Sequence, residues 1–158
     1  MIRKATPADA SRLAEILIFA KRTSYRPIFQ CDQVSFNEMS VLELALRYRD
    51  DPEMLQDVYV YDDGIVRGMM SWKRSPNVWQ LQELYVDTFF QKQGYGEKLL
   101  KNFLENAGNN GAERVFLWAL EKNLRARDFY EKNGFRFLGR KKLEEGTTEW
   151  LYKYEKNL

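Results

Sequence analysis

The 158-residue chain contains no histidine and one cysteine, Cys31. Without histidine, Ser-His-Asp and Cys-His nucleophile systems are excluded, and with a lone thiol nothing is left for a thiolate or imidazole zinc site. Cys31 reads as a packed or surface thiol. A strong charge of one sign is also missing: 25 Lys and Arg face 23 Asp and Glu, a formal +2. No global field therefore draws in nucleic acid or an anionic membrane, and neither is expected as a partner. No apolar run reaches the length of a membrane span. The start, MIRKATPADA, lacks the apolar core and cleavage site of a signal peptide, which sets the expectation of a cytoplasmic protein. Acid–base chemistry near neutral pH is left to a carboxylate, a tyrosine, a lysine or ordered water.

What the chain does have is apolar mass, 44% hydrophobic and 15% aromatic residues, enough for a buried core at the length of one ordinary domain, residues 1–158. IRKA suits a short strand. TPADASRLAEILIFAKR follows as a helix with Thr6 as N-cap, Pro7 at the first position and Leu13, Ile16, Leu17 and Ala20 at helical spacing. TSYRPIFQCDQ reads as an irregular connection. Residues 35–49 form a second helix, with Met39, Leu42, Leu46 and Arg49 on one spacing. DVYVYDDGIVRGMMSW and WQLQELYV give three antiparallel strands, with turns at Asp63-Gly64 and at Ser75-Pro76-Asn77.

Farther on, Leu99, Leu100, Phe103, Leu104 and Ala107 mark an amphipathic helix leading to the buried strand RVFLWAL. Strand, helix and strand in succession make WQLQELYV and RVFLWAL parallel neighbours. NLRARDFYEKNGF is a helix stopped by Asn133-Gly134, and the remainder a hairpin around Glu145-Gly146. The expected fold class is α/β: a mixed, mostly antiparallel sheet with a central parallel strand pair and helices on both faces.

Between the parallel strands lies QKQGYGEKLL. A dinucleotide fingerprint needs a further glycine where Leu99 stands, and no Gly-Lys-Ser/Thr completes a P-loop. What remains is Gln91-x-x-Gly94-x-Gly96 opening a helix, where glycines can adopt positive φ and backbone N–H groups can converge on an anion. A plain strand-to-helix turn would use the same residues.

LYVDTFFQKQGYGEKLL resembles motif A of the GCN5-related N-acetyltransferases (GNAT), and NLRARDFYEKNGF resembles their motif B. The likeness in element order runs along the whole chain and is strongest over residues 81–135. It implies a transferase that moves an acetyl group from acetyl-CoA directly to a primary amine of a small molecule or peptide. Its alternative is a non-catalytic acyl-CoA-binding sensor of the same fold. A second copy of the chain stands among the candidate partners.

The resemblance also assigns residues. Gln91, Lys92, Gln93, Gly94, Tyr95 and Gly96 would wrap the coenzyme pyrophosphate. Leu84, Tyr85 and Val86 would offer a backbone N–H to the thioester carbonyl, on a strand that splays from its parallel neighbour. Asn123 would meet the pantetheine amide or simply cap its helix. Tyr130 would lie by the sulfur and protonate the departing thiolate. Glu83 is the carboxylate nearest that edge and the candidate base, with Glu121 in reserve; a surface carboxylate is its alternative, since the better-known family glutamate falls at Gln80. Tyr25, Phe29 and Trp72 would be walls of the acceptor pocket.

Overall fold

The computed structural model describes all residues, Met1–Leu158. Seven strands, β1 (Ile2–Lys4), β2 (Val58–Asp62), β3 (Val66–Lys73), β4 (Val78–Val86), β5 (Arg114–Leu120), β6 (Arg136–Leu143) and β7 (Trp150–Asn157), form a sheet in the order β1-β2-β3-β4-β5-β7-β6. Four helices flank it: α1 (Ala10–Phe29), α2 (Val41–Asp50), α3 (Tyr95–Asn109) and α4 (Leu124–Lys132). The β4–β5 pair is parallel, while β1–β2, β2–β3, β5–β7 and β6–β7 are antiparallel. The mixed α/β class expected from the sequence is the one observed.

Contacts divide the chain into two units, Met1–Trp72 with Glu83–Phe103, and Lys73–Gln82 with Leu104–Leu158. In the first, the entry to α1 is built as the sequence predicts. Thr6 N donates to Asp9 Oδ2 at 2.8 Å, and Pro7 opens a short 3-10 turn ahead of the helix. Arg3 grips Asp9 with two hydrogen bonds of 2.8 Å, which holds the buried Asp9 carboxyl below its ordinary pKa. Leu13, Ala14, Ile16, Leu17 and Ile18 pack with Val58, Val60 and Met69 in one apolar cluster.

Two sequence expectations change here. Most of TSYRPIFQCDQ is helix, not connection: α1 continues through Pro27 to Phe29 and closes on Gln30, whose φ of 52° is left-handed. Pro27 falls in the last turn, where losing one N–H bond does not propagate. The second helix is shorter than residues 35–49. It starts at Val41, with Ser40 Oγ accepting from Glu43 N at 3.2 Å, after a π-helical turn at Gln33–Glu38. Its inward face is Val41, Leu44, Ala45 and Tyr48, whereas Leu42 is 69% exposed and Leu46 39%. Apolar residues occur on both sides of this helix, so spacing alone selected the wrong stripe.

In the second unit β5 occupies the expected RVFLWAL, with Val115, Leu117 and Ala119 buried. Its ladder to β4 has three pairs, Val78↔Arg114, Trp79↔Val115 and Gln80↔Phe116. The pairing stops there, although β4 runs on to Val86 and β5 to Leu120. α4 packs on the face that carries Tyr154, whose hydroxyl donates to Glu131 at 2.7 Å and accepts from Arg127 Nε at 2.9 Å.

The corrected face of α2 is directly testable by chemical denaturation. Tyr48→Ala should cost about 3 kcal/mol as a large core truncation, while Leu42→Gln should stay within about 0.5 kcal/mol of the parent. Equal losses would return Leu42 to the core.

Candidate functional site

The loop that follows β4 is set by a buried carboxylate. Asp87, 6% exposed, accepts at Oδ1 from Phe89 N at 2.8 Å and caps the 3-10 turn Thr88–Phe90. Its own N–H donates to Arg67 O at 2.9 Å, and its other oxygen pairs with Arg12 of α1. The Arg67 guanidinium lies 4.1 Å from the Phe90 ring centroid. Sequence reading passed over Asp87, although an Asp between an apolar strand and Thr-Phe-Phe is a recognisable turn signal.

Residues 91–96 then lead into α3. Gln91 Nε2 donates to Val86 O at 3.3 Å. Lys92 takes φ 60° and Gly94 φ 82°, and Gly94 O accepts the first helical bond from Lys98 N at 3.1 Å. Gly96, by contrast, lies in the first turn of α3 and is not among the positive-φ residues. Lys92, not Gly96, is the second left-handed position. A Cβ built on Gly94 would meet nothing within 4 Å, so glycine is favoured there by φ and not by space. Positive φ at two alternate positions ahead of a helix N-terminus is compatible with backbone N–H groups turned toward an anion.

Glu83 is more enclosed than a surface carboxylate. Ser71 Oγ donates to its Oε2 at 3.4 Å. Burial pushes its pKa above the ordinary value, against the opposing pull of Lys21 and the Ser71 hydrogen bond. Tyr48, itself buried, has its hydroxyl pKa raised by burial and then by the Glu83 charge. On the same strand the Tyr85 hydroxyl lies 3.3 Å from that of Tyr25, and Tyr25 meets Phe29 edge to face at 6.0 Å. Lys21, Ser71 and Tyr48 had no signal in the sequence, because they come from three separated segments. Trp72 is not a pocket wall: it is 2% exposed and stacks on Tyr59 at 4.2 Å.

Glu83, Leu84, Tyr85, Val86 and residues 91–96 thus share the first unit, while Asn123, ahead of α4, and Tyr130, on it, belong to the second. Asn123 caps α4, its Oδ1 accepting from Ala126 N at 3.2 Å. Tyr130 is half-buried, its ring edge-on to Phe129 and Phe135 at 5.2 and 5.7 Å. Glu121 accepts the Tyr152 hydroxyl at 2.6 Å, and Arg127 Nη1 donates to Glu121 O at 2.8 Å. The Glu121 carboxylate is thus tied to Tyr152 on β7, while its backbone carbonyl anchors Arg127 of α4.

The family profile described as Acetyltransferase (GNAT) family matches residues 20–135, well over half of the chain. The chain belongs to the GNAT acetyltransferase family. Among curated relatives, a probable N-acetyltransferase of Mycobacterium tuberculosis is 38% identical over 65 residues, 41% of this chain and 36% of that protein. The match thus spans little more than a third of that relative's length. A probable spermine N(1)-acetyltransferase of Bacillus subtilis subsp. natto is 26% identical over 119 residues, 67% of this chain and 78% of that one. In the PaiA N-acetyltransferase of Thermoplasma acidophilum, solved in complex with coenzyme A, the match covers 100% of this chain and 98% of that one, at TM-score 0.76 and 21% identity. The ribosomal-protein-alanine N-acetyltransferase of Brucella melitensis aligns over 100% and 99%, at TM-score 0.74 and 23% identity. At these identities the structural likeness speaks for the GNAT fold alone. No helix of the chain is long and apolar enough to cross a membrane.

The raised Glu83 pKa has a consequence for stability. A carboxyl that holds its proton more tightly when folded stabilises fully below its unfolded pKa and loses that contribution as pH rises through the higher folded value. Glu83→Gln removes the titration. The variant should therefore gain stability relative to the parent as pH climbs above about 4.5, visible as a widening Tm difference. Parallel Tm–pH curves would show that Glu83 ionises as freely folded as unfolded.

Proposed function

We propose that this chain, acting as one domain over residues 1–158 in the cytoplasm, transfers the acetyl group of acetyl-CoA directly to a primary amine of a small molecule or peptide. The carrying observation is the backbone of residues 91–96, left-handed at Lys92 and Gly94 immediately ahead of α3. That geometry fits a pyrophosphate, and it recurs in sequence where the family's coenzyme loop is expected.

Acetyl-CoA would supply an activated acyl group as a thioester. Gln91, Lys92, Gln93, Gly94, Tyr95 and Gly96 would bind its phosphates through backbone N–H groups and the positive end of α3. Asn123 would hold the pantetheine arm in addition to capping α4. A backbone N–H among Leu84, Tyr85 and Val86 would polarise the thioester carbonyl, since β4 is no longer laddered to β5 beyond Gln80. Glu83 would take the proton from the acceptor ammonium, directly or through water. Its raised pKa makes it a stronger base than an exposed glutamate, and an ammonium near pKa 10 must be deprotonated before its nitrogen can attack. Tyr130 would return a proton to the departing thiolate, its ring fixed by Phe129 and Phe135.

The test is acceptor-dependent thiol release from acetyl-CoA across an amine and peptide panel, with product mass confirming acetylation. Binding of acetyl-CoA without turnover would leave the chain as a sensor, and thiol release with no acceptor dependence would be thioester hydrolysis and not acetyl transfer to an amine. For the acid, Tyr130→Phe keeps the ring packing and removes one oxygen. In a single turnover on enzyme preloaded with acetyl-CoA, the chemical step should slow by about 10² to 10⁴ while acetyl-CoA affinity stays near parental. An unchanged step would make Tyr130 a packing residue.

A further inference from the structure

In the second unit the strands present two faces, because successive side chains alternate. Tyr154 marks the face that meets α4. The other face carries Gln80, Phe116, Trp118, Lys142, Lys153 and Glu155, brought side by side by the pairs Gln80↔Phe116, Phe116↔Glu155, Trp118↔Lys153 and Lys142↔Leu151. It includes the last laddered β4–β5 pair, Gln80↔Phe116.

The charges on this face are lopsided. Lys153 Nζ pairs with Glu155 at 2.6 Å, with both side chains largely buried. The Glu155 carboxyl is held below its ordinary pKa by Lys153 first, and also by Arg114 and Arg140. Lys142 Nζ stands 4.4 Å from the Trp118 centroid, and Lys153 Nζ 4.4 Å from that of Phe116. Arg114, Arg140 and Lys142 are exposed. The first unit shows the same habit in its own candidate acceptor region: Lys21 acts on Glu83, and Arg26 pairs with Asp32 at 2.6 Å. A polyamine would have to displace these cations from carboxylates that they already cover, against like-charge repulsion. A carboxylate arriving on the face meets arginine and lysine donors instead.

We propose that the acceptor amine of this enzyme is flanked by carboxylates, as at the start of an acidic peptide, and that Arg114, Arg140 and Lys142 receive those carboxylates. The proposal rests on the acetyltransferase reading for its role, though not for the binding itself. Single-stranded nucleic acid fits the face less well, because ammonium groups already occupy the faces of Phe116 and Trp118 on which bases would stack.

The experiment measures binding and turnover separately, on the full chain. Binding is read by fluorescence anisotropy at low salt with a dye-labelled short peptide bearing a free α-amine followed by aspartates and glutamates. Comparison probes are a lysine- and arginine-bearing counterpart, a labelled oligothymidylate, and spermine as a competitor. The acidic peptide should bind at least about tenfold tighter than its basic counterpart and weaken with added salt. Arg140→Glu and Lys142→Glu, both at exposed positions, should each erase that preference without changing the circular dichroism. Equal or tighter binding of the basic peptide or oligothymidylate, effective competition by spermine, or a preference that survives both reversals would overturn the proposal.

Thiol release with the same peptides, free glutamate and spermine separates the two readings. Acidic-peptide binding without any acceptor-dependent thiol would leave the surface standing and sink the enzyme. Turnover of spermine ahead of the acidic peptide would do the reverse. Saturable turnover of free glutamate would identify a small acceptor, and turnover of the peptide alone an extended one; either supports the carboxylate-flanked class.

Discussion

The buried pairing of Arg12 with Asp87 is the constraint on which the first unit's site depends. Arg12 leaves α1 and donates to Val66 O at 3.2 Å on β3, pairs with Glu15 at 2.6 Å on its own helix, and meets Asp87 where β4 ends. Asp87 in turn accepts Phe89 N and donates its N–H to Arg67 O. A helix, two strands and the start of the loop that leads to residues 91–96 are thereby tied through one ion pair of low exposure. Removing Arg12 would strand the buried Asp87 carboxylate, whereas Arg12 would keep Glu15 if Asp87 were lost; stranding a buried charge is costly even where the pair adds little net stability. The close approach of β3 to β4 supports the same arrangement. A Cβ on Gly68 would stand 2.8 Å from Tyr85 O, so only glycine lets the backbones meet there.

The proposed chemistry needs no histidine. Glu83, pressed into a partly buried setting, would act as the base through the basicity that desolvation gives it, and Tyr130 would be the proposed acid. The proposed anion binding rests on the positive φ of Lys92 and Gly94, a backbone device that suits a chain whose net charge is close to neutral. Several lysines and arginines are used locally, laid over an aromatic ring or against a carboxylate.

Much of this was legible in the sequence where one signal dominated. RVFLWAL could be nothing but a buried strand, Thr6-Pro7-x-Asp9 opened a helix, and Asp63-Gly64 turned a hairpin. The two motifs, 91–96 and 123–135, located the loop and α4 together with the family. What the sequence hid was long-range or two-sided. The helix of residues 41–50 has apolar side chains on both faces, so burial of Tyr48 over Leu42 was decided by the partner surface. TSYRPIFQCDQ read as an irregular connection because the continuation of α1 through Pro27 to Phe29 had no local signal. Gly96 looked like the second left-handed residue of a GxG pair, yet Lys92 holds that conformation and Gly96 is already helical. Ser71, Lys21 and Tyr48 gather around Glu83 only after folding, and no local pattern announces them.

The central claim is that the left-handed backbone at Gly94 is what holds the coenzyme. Gly94→Val places a β-branched side chain into open space, so it meets no clash and acts through φ alone. Isothermal titration of acetyl-CoA into the parent and this variant, with folding checked by circular dichroism, measures that claim directly. The account predicts a folded variant whose affinity falls by at least about tenfold, equivalent to about 1.4 kcal/mol. A folded variant that binds acetyl-CoA as tightly as the parent would contradict it.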